Sequence, residues 1–225
     1  MRILALDSSG AACSAAYWAD GAIRGRRLER LERGHAERLV PMVQAAVADS
    51  GASLDEVDLF AATVGPGGFT GVRIGLATLR ALALAARRPM LGVTSFEALA
   101  HGTSVEERAG RRLLVLIESR RSGLYAQTFT DALAPESEAV ALPPNEIAAR
   151  FAAGPLLLAG DGVERLMPTL AGRDGVPRVA SNASFVDAAV VASLAAERAA
   201  AASSEPPAPL YLRGPDISMP NIEAR

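Results

Sequence analysis

The chain has 225 residues, half of them hydrophobic but only 4% aromatic, so its core must be built mainly from Ala, Leu and Val. All 23 basic residues are Arg, and the lack of Lys excludes a Schiff-base mechanism and a Walker P-loop. The net charge of −2 gives the chain no general attraction for a polyanion.

Targeting and redox features point to the cytoplasm. Cys13 is the only cysteine, which excludes an intrachain disulfide and is consistent with a reducing compartment. The N-terminus opens directly into a strand pattern, with none of the three regions of a secretory leader. Since no uninterrupted apolar run reaches about 18 residues, we expect no membrane-spanning helix.

The first hundred residues predict a mixed α/β unit. Short apolar runs divided by turn residues predict strands from Ile3, from Cys13 and, after the Asp20–Gly21 turn, from Ala22. A helix should follow at residues 35–49, where Pro41 indicates either a later start near Leu39 or a kink. The remaining predicted elements are a strand at 59–64, a glycine-rich loop at 65–71, a helix at 72–86, a strand at 90–93 parallel to the previous one, and a short helix from Ser95, its cap, to His101.

The second half resembles the first. Residues 112–119 match residues 2–9 as an apolar strand that ends in an acidic residue and Ser, and a second strand follows at 124–130. A helix at 145–151, a strand at 156–159 and a last helix at about 184–202, capped by Ser181 or Asn182, complete the pattern. These short copies hint at a duplicated domain with halves 1–105 and 106–225.

The stretch Gly65-Pro66-Gly67-Gly68-Phe69-Thr70-Gly71 is the most informative motif. A glycine-rich loop between a strand and a helix can present backbone N–H groups to a phosphate at the positive end of the helix. It can equally be a tight turn where the helix and the sheet approach closely. The loop fits neither Walker A nor the dinucleotide fingerprint, and composition alone leaves both alternatives open.

This stretch, continued to Thr78, closely resembles the signature GPGSFTGLRIG of the bacterial TsaB (YeaZ) family. Four further stretches are similar to family phrases in the same order along the chain: residues 3–8, 34–41, 91–95 and 209–213. Two places depart from the family: Gly68 stands where Ser is usual, and residues 118–123 differ from the usual Asp-Ala-Arg. The missing hydroxyl would leave the loop less rigid if that Ser braces it.

The resemblance implies an α/β fold of the actin, sugar kinase and Hsp70 type, related to ribonuclease H, with two mixed-sheet halves. It also implies a non-catalytic subunit that partners TsaD, the catalytic paralogue, and the ATPase TsaE. That complex transfers threonylcarbamoyl to N6 of the tRNA adenosine beside the anticodon. The resemblance places ATP and a metal on the partner subunits, no cofactor on this chain alone, tRNA contact only through the complex, a homodimer when TsaD is absent, and no membrane partner.

The residues that could carry chemistry are few. His35 and His101 are far apart and neither has a second His four residues on, so a metal site is not indicated. Asp7 and Glu118 end strands where the actin-like fold can support a metal–nucleotide, but we interpret both as turn residues. Cys13 lies within a strand and is expected to be inert. A lone ATPase or phosphotransferase remains the alternative function, and a glycoprotease-type peptidase is disfavoured because no nucleophile elbow or paired-His motif occurs.

Two surfaces could bind partners. The arginines of residues 24–33 could contact tRNA or an acidic partner, although a charged edge strand explains them better. The predicted helix 72–86 is apolar nearly all round, which predicts that one side faces the sheet and another side a partner. We therefore predict that it forms a four-helix contact with a partner, together with the helix at 35–49, unless the second half of the chain covers it. The predicted interface residues are Leu39, Met42, Val43, Val72, Arg73, Leu76, Leu79 and Arg80.

Overall fold

Two five-stranded mixed sheets organise the chain in the computed structural model, which describes residues 1–119, 123–172 and 176–212. The first sheet has the strand order β3 (Ala22–Arg30), β2 (Ala12–Ala19), β1 (Arg2–Asp7), β4 (Leu59–Thr63) and β5 (Met90–Val93). The second has the order β10 (Arg178–Val179), β9 (Leu156–Ala159), β6 (Arg112–Glu118), β7 (Leu124–Phe129) and β8 (Val140–Leu142). In each sheet, the first three strands in chain order pair antiparallel with their neighbours. The fourth strand pairs in parallel with the first, and the fifth pairs in parallel with the fourth. The two sheets therefore share one topology, and the predicted two-half, actin-like fold is confirmed.

The strands of the first sheet are short and mostly buried. They are β1 (Arg2–Asp7), β2 (Ala12–Ala19), β3 (Ala22–Arg30), β4 (Leu59–Thr63) and β5 (Met90–Val93). All five residues of β4 are buried because helices cover both faces of this sheet. The predicted parallel pairing of β4 with β5 is confirmed.

Two helices cover one face of the first sheet. They are α1 (His35–Ser50) and α2 (Phe69–Ala86), and they also contact each other. Helix α1 continues through Pro41, so the later start near Leu39 is wrong. Pro41 lies on the exposed side and in the second turn of α1, where its missing N–H costs one helical hydrogen bond. By length and composition alone α2 could cross a membrane, which the sequence analysis did not expect. In the fold this helix packs on β4.

The second sheet carries smaller helices. Its strands are β6 (Arg112–Glu118), β7 (Leu124–Phe129), β8 (Val140–Leu142), β9 (Leu156–Ala159) and β10 (Arg178–Val179). Helices α5 (Pro144–Phe151) and α6 (Val163–Leu166) pack on one face and form their own apolar cluster. Along the chain, the helices α3 (Ser95–His101) and α4 (Val105–Arg108) connect the first sheet to the second. Thr94, and not Ser95, caps α3, because its hydroxyl accepts from the Glu97 amide.

The last helix ties the two halves together. Helix α7 (Ala188–Glu197) follows the second sheet in sequence but packs on the other face of the first sheet. Its cap is Asp187 and not Ser181 or Asn182, and the same carboxylate accepts from Arg26 of β3 at 2.7 Å. The predicted boundary at residue 105 stays a prediction.

After α7 a short 3-10 helix (Ala199–Ala201) leads into a segment that we call the C-terminal strap, residues 203–212. Ser203 exchanges two backbone hydrogen bonds with Met90, at 2.7 and 3.0 Å, along the outer edge of β5. The Leu210 amide then donates to the Val64 carbonyl at 2.7 Å. This C-terminal segment is thus irregular in shape but fixed to the first sheet.

Candidate functional site

The glycine-rich loop follows β4 and enters α2, and it packs directly on the turn after β1. The Gly68 amide donates to the Ser9 carbonyl at 2.7 Å, and the Ser8 hydroxyl donates to the Gly71 carbonyl at 2.9 Å. A Cβ on Gly67 would lie 2.3 Å from the Ser9 carbonyl oxygen, so the backbones approach too closely for a side chain. Of the two interpretations, this geometry supports the close-packed turn over a phosphate-binding loop.

The loop is shorter than predicted because the chain becomes helical at Phe69. The residue before it, Gly68, has φ −63°, which any residue can adopt. A Cβ there would lie 3.6 Å from the Ser9 carbonyl oxygen, an ordinary contact, so the usual family serine would fit. The backbone hydrogen bond from Gly68 to Ser9 ties this part of the loop without that hydroxyl.

Asp7, at the end of β1, lies in a buried hydroxyl network. Its Oδ1 accepts from the Ser9 amide at 3.1 Å, from the Ser9 hydroxyl at 2.7 Å and from the Thr63 hydroxyl. The Ser9 hydroxyl also lies 3.1 Å from that of Ser95. Burial raises the pKa of the Asp7 carboxyl, although these hydrogen bonds act to lower it. The sequence did not indicate that Thr63 belongs to this network, and it marked Ser95 only as the expected cap of α3.

The space between the halves next to Asp7 is nearly filled. The cavity there holds about 20 Å³ and is lined from the second half by Ile117, Asp161 and Ser184 to Val186. That volume is close to one water molecule, whereas small-molecule sites generally have at least about 300 Å³. On the other side, Asp161 accepts from the Glu118 amide at 2.8 Å, and Glu118 pairs with Arg165. In this conformation the space that Asp7 faces is too small for a nucleotide.

The two histidines are half-buried and the cysteine is buried. His35 Nε2 lies 2.9 Å from the Gly10 carbonyl oxygen, and burial lowers the pKa of His101. Burial also raises the pKa of the Cys13 thiol to about 12, so at neutral pH it is a protonated, unreactive thiol. Among residues 1–119, 123–172 and 176–212, no cluster of three His, Cys, Asp or Glu could hold a metal ion.

A larger cleft, of about 470 Å³, opens beside the glycine-rich loop. Its walls are the turn after β1, the start of α1 and the first turn of α2, including Arg33, His35 and Thr70. The positive end of α2 faces this cleft. The geometry leaves the first-turn amides of α2 near an open space, in contrast to the Gly68 amide, which bonds to Ser9.

The predicted partner surface needs correction. Five of its eight residues are buried inside this chain, where the apolar seam of α1 and one face of α2 meet the sheet: Leu39, Met42, Val43, Val72 and Leu79. Leu76 is half-buried and packs against the same cluster. The periodicity identified apolar positions correctly, but these were assigned to a partner interface, whereas their own sheet covers them.

The outer face of α2 is nevertheless exposed along its length. We call it the α2 stripe, made of Arg73, Ala77, Arg80, Ala81 and Leu84, and Leu84 is 76% exposed. Among the described residues, the second sheet does not cover this stripe. The C-terminal strap, which belongs to the second half, contacts the start of α2, where Tyr211 packs on Phe69 with ring centroids 5.4 Å apart.

The arginine run on β3 is largely paired within the chain. Arg26 bonds to Asp187, Arg27 pairs with Asp49, and Arg30 lies 5.5 Å from the Phe185 ring centroid. These contacts favour the charged-edge interpretation over a nucleic-acid surface.

Comparisons with known proteins agree with the motif. Residues 29–143, about half of the chain, match the family model of TsaD, described as tRNA N6-adenosine threonylcarbamoyltransferase. The TsaB protein of Escherichia coli K12, named a tRNA threonylcarbamoyladenosine biosynthesis protein, is 41% identical over 56% of this chain and 53% of its own. YeaZ from Pseudomonas aeruginosa superposes with a TM-score of 0.78 and 30% identity over 94% of this chain and 99% of its own. The chain belongs to the TsaB/YeaZ family.

More distant relatives define the fold and the limits of the match. An uncharacterized protein of Mycobacterium tuberculosis H37Rv is 31% identical over 95% of this chain and 92% of its own. Component A of the (R)-2-hydroxyglutaryl-CoA dehydratase of Acidaminococcus fermentans shares the fold alone, with a TM-score of 0.54 and 9% identity. The matched region spans about half the length of the TsaB proteins of E. coli and Haemophilus influenzae.

Proposed function

We propose that this chain is a non-catalytic subunit of the cytoplasmic machinery that makes threonylcarbamoyladenosine on tRNA. Membership of the TsaB/YeaZ family supports the pathway. The observation that carries the non-catalytic role is the 20 Å³ space beside Asp7, which is too small for a nucleotide. In this proposal the catalytic TsaD paralogue and the ATPase TsaE hold the ATP and the metal, and tRNA is contacted through the complex.

The partner surface in this proposal is the outer face of the α1–α2 pair. The exposed apolar residues Val40 and Leu84 and the small residues of the α2 stripe allow close approach by helices from another protein. We propose that TsaD occupies this face in the working complex, and that a second copy of this chain occupies it when TsaD is absent.

Two measurements on purified proteins test the role. We expect this chain alone to show no metal-dependent ATP hydrolysis, and we expect the wild-type chain and Asp7→Asn to support equal formation of threonylcarbamoyladenosine with TsaD, TsaE, tRNA and the adenylate donor. Mass spectrometry of the digested tRNA would quantify the product. An ATPase rate in the lone chain that disappears in Asp7→Asn would support the alternative, an independent actin-fold ATPase. Full product formation without this chain would contradict the proposed function.

A further inference from the structure

The C-terminal strap holds one side chain of the α2 stripe in place. Arg73 Nε donates to the Tyr211 hydroxyl oxygen at 3.1 Å, and the Arg73 guanidinium lies 3.6 Å from the Phe69 ring centroid and 5.9 Å from that of Tyr211. A long side chain that normally samples many rotamers is thus held over the Phe69 ring by its hydrogen bond to Tyr211. Within the described part of the chain, no hydrogen bond is made by Arg73 Nη1 or Nη2.

The strap is fixed to the first sheet, so the position of the Arg73 side chain is set before any partner binds. The Leu210 amide bonds to Val64, directly before the glycine-rich loop, and Pro207 packs so closely on Gly92 that a Cβ on Gly92 would lie 2.8 Å from it. Tyr211 follows Leu210 directly and is therefore fixed relative to the start of α2. Pre-formed arginine and aromatic groups of this kind are typical anchors at protein interfaces.

The α2 stripe also carries a positive charge that no acidic residue of α2 balances. Arg80 lies seven residues after Arg73 on the same side, about 10.5 Å along the axis, because each residue adds about 1.5 Å. Helix α2 contains no Asp or Glu. A matching partner surface would supply two carboxylates at a similar spacing, one for each guanidinium.

A second copy of this chain is a poor match for that pattern. On the exposed sides of α1 and α2 the carboxylates are those of Glu37 and Asp49, and Asp49 is already paired with Arg27. A two-fold contact between α2 stripes would bring Arg73 and Arg80 of one copy near those of the other. Like charges that close together oppose association.

The geometry points to the α2 stripe as an element that selects between partners. Arg73, which the strap holds through Tyr211, and Arg80 favour a partner helix with two carboxylates about two turns apart. A second copy of this chain, which lacks that pattern, is disfavoured. This inference rests on the proposed function, since it concerns the face proposed to bind TsaD. Tyr211 acts through Arg73 and is a positioning residue.

The first test compares two equilibria for the same variants. Arg73→Gln/Arg80→Gln should weaken binding to TsaD from the source organism by about tenfold to a hundredfold and strengthen self-association by about tenfold. Biolayer interferometry would measure binding to TsaD, and sedimentation equilibrium would measure self-association. The matched control is Arg24→Gln, an exposed arginine on β3, which should change neither equilibrium. If TsaD binding and self-association weaken equally, or if neither changes, the proposed selectivity between partners is overturned.

The two ideas fail in different ways. If wild-type chain does not bind TsaD but the double variant self-associates more tightly, the proposed function fails and the repulsion between copies stands. If wild type binds TsaD and the double variant binds equally well, the proposed function stands and the selectivity fails.

The second test isolates the strap. Tyr211→Phe keeps the ring but removes the oxygen that accepts from Arg73, and should weaken TsaD binding by about threefold. In an Arg73→Gln background the same change should have no effect, because Tyr211 acts through Arg73. An equal loss in both backgrounds would overturn the positioning role.

Discussion

Gly71 lies against Ser8 so closely that a Cβ on Gly71 would be 2.1 Å from the Ser8 carbonyl oxygen. The neighbouring Ser8 hydroxyl donates to the Gly71 carbonyl at 2.9 Å. This contact joins the first turn of α2 to the end of β1, which explains why a glycine is required inside a helix.

Gly71→Ala should therefore destabilise the fold by about 2–3 kcal/mol, because the added methyl meets backbone that cannot rotate away. Gly68→Ser is the matched control, since a Cβ at position 68 has ordinary contacts. As an N-cap residue, this serine should raise the free energy of unfolding by roughly a few tenths of a kcal/mol. Urea denaturation of the three proteins would measure this, and a fully stable Gly71→Ala would contradict the packing.

Asp7→Asn tests the buried carboxylate. Its folded pKa is raised above the unfolded value, so the wild-type chain loses stability as pH rises from near 4 through the folded pKa. Asn can keep its oxygen toward Ser9 and Thr63 and has no charge to bury. The stability of Asp7→Asn relative to wild type should therefore increase across this window, as measured by chemical denaturation at several pH values. A relative stability that stays constant or decreases with pH would contradict this.

Glu97 should show the opposite pH dependence. Although burial raises its pKa, hydrogen bonds from Thr94 and the nearby Arg198 lower it overall. Its stabilising effect is therefore complete above the unfolded pKa and is lost as pH falls through the folded pKa. Glu97→Gln should lower the free energy of unfolding by about 1 kcal/mol at neutral pH, and this difference should become smaller in acid.

The control for that experiment is Glu138→Gln, because Glu138 is exposed. Its replacement should change the unfolding free energy by less than about 0.5 kcal/mol at any pH. A pH-independent cost for Glu97→Gln would show that the charge of Glu97 does not contribute.

The sequence predicted most elements because local patterns determine them. The strands at 90–93 and 156–159 match the structure residue for residue. The start of α2 was placed three residues late, since Gly71 looks like a loop residue until its contact with Ser8 is known. The strap could not be predicted either, because Tyr211 meets Phe69 and Arg73 only after the fold has brought the end of the chain to α2.

The partner surface shows the same limit and gives the last prediction. Periodicity identified Val43 as apolar and placed it at a partner interface, but the fold shows that its own sheet covers it, whereas Leu84 faces outward. Val43→Glu should therefore unfold the chain or cost at least about 3 kcal/mol, since it buries an unpaired charge. Leu84→Glu should leave the unfolding free energy within about 0.5 kcal/mol of wild type and should abolish both self-association and TsaD binding. Circular dichroism melts and light scattering on the two variants would measure this. A Leu84→Glu chain that stays folded and still binds TsaD would move the partner surface away from the α2 stripe.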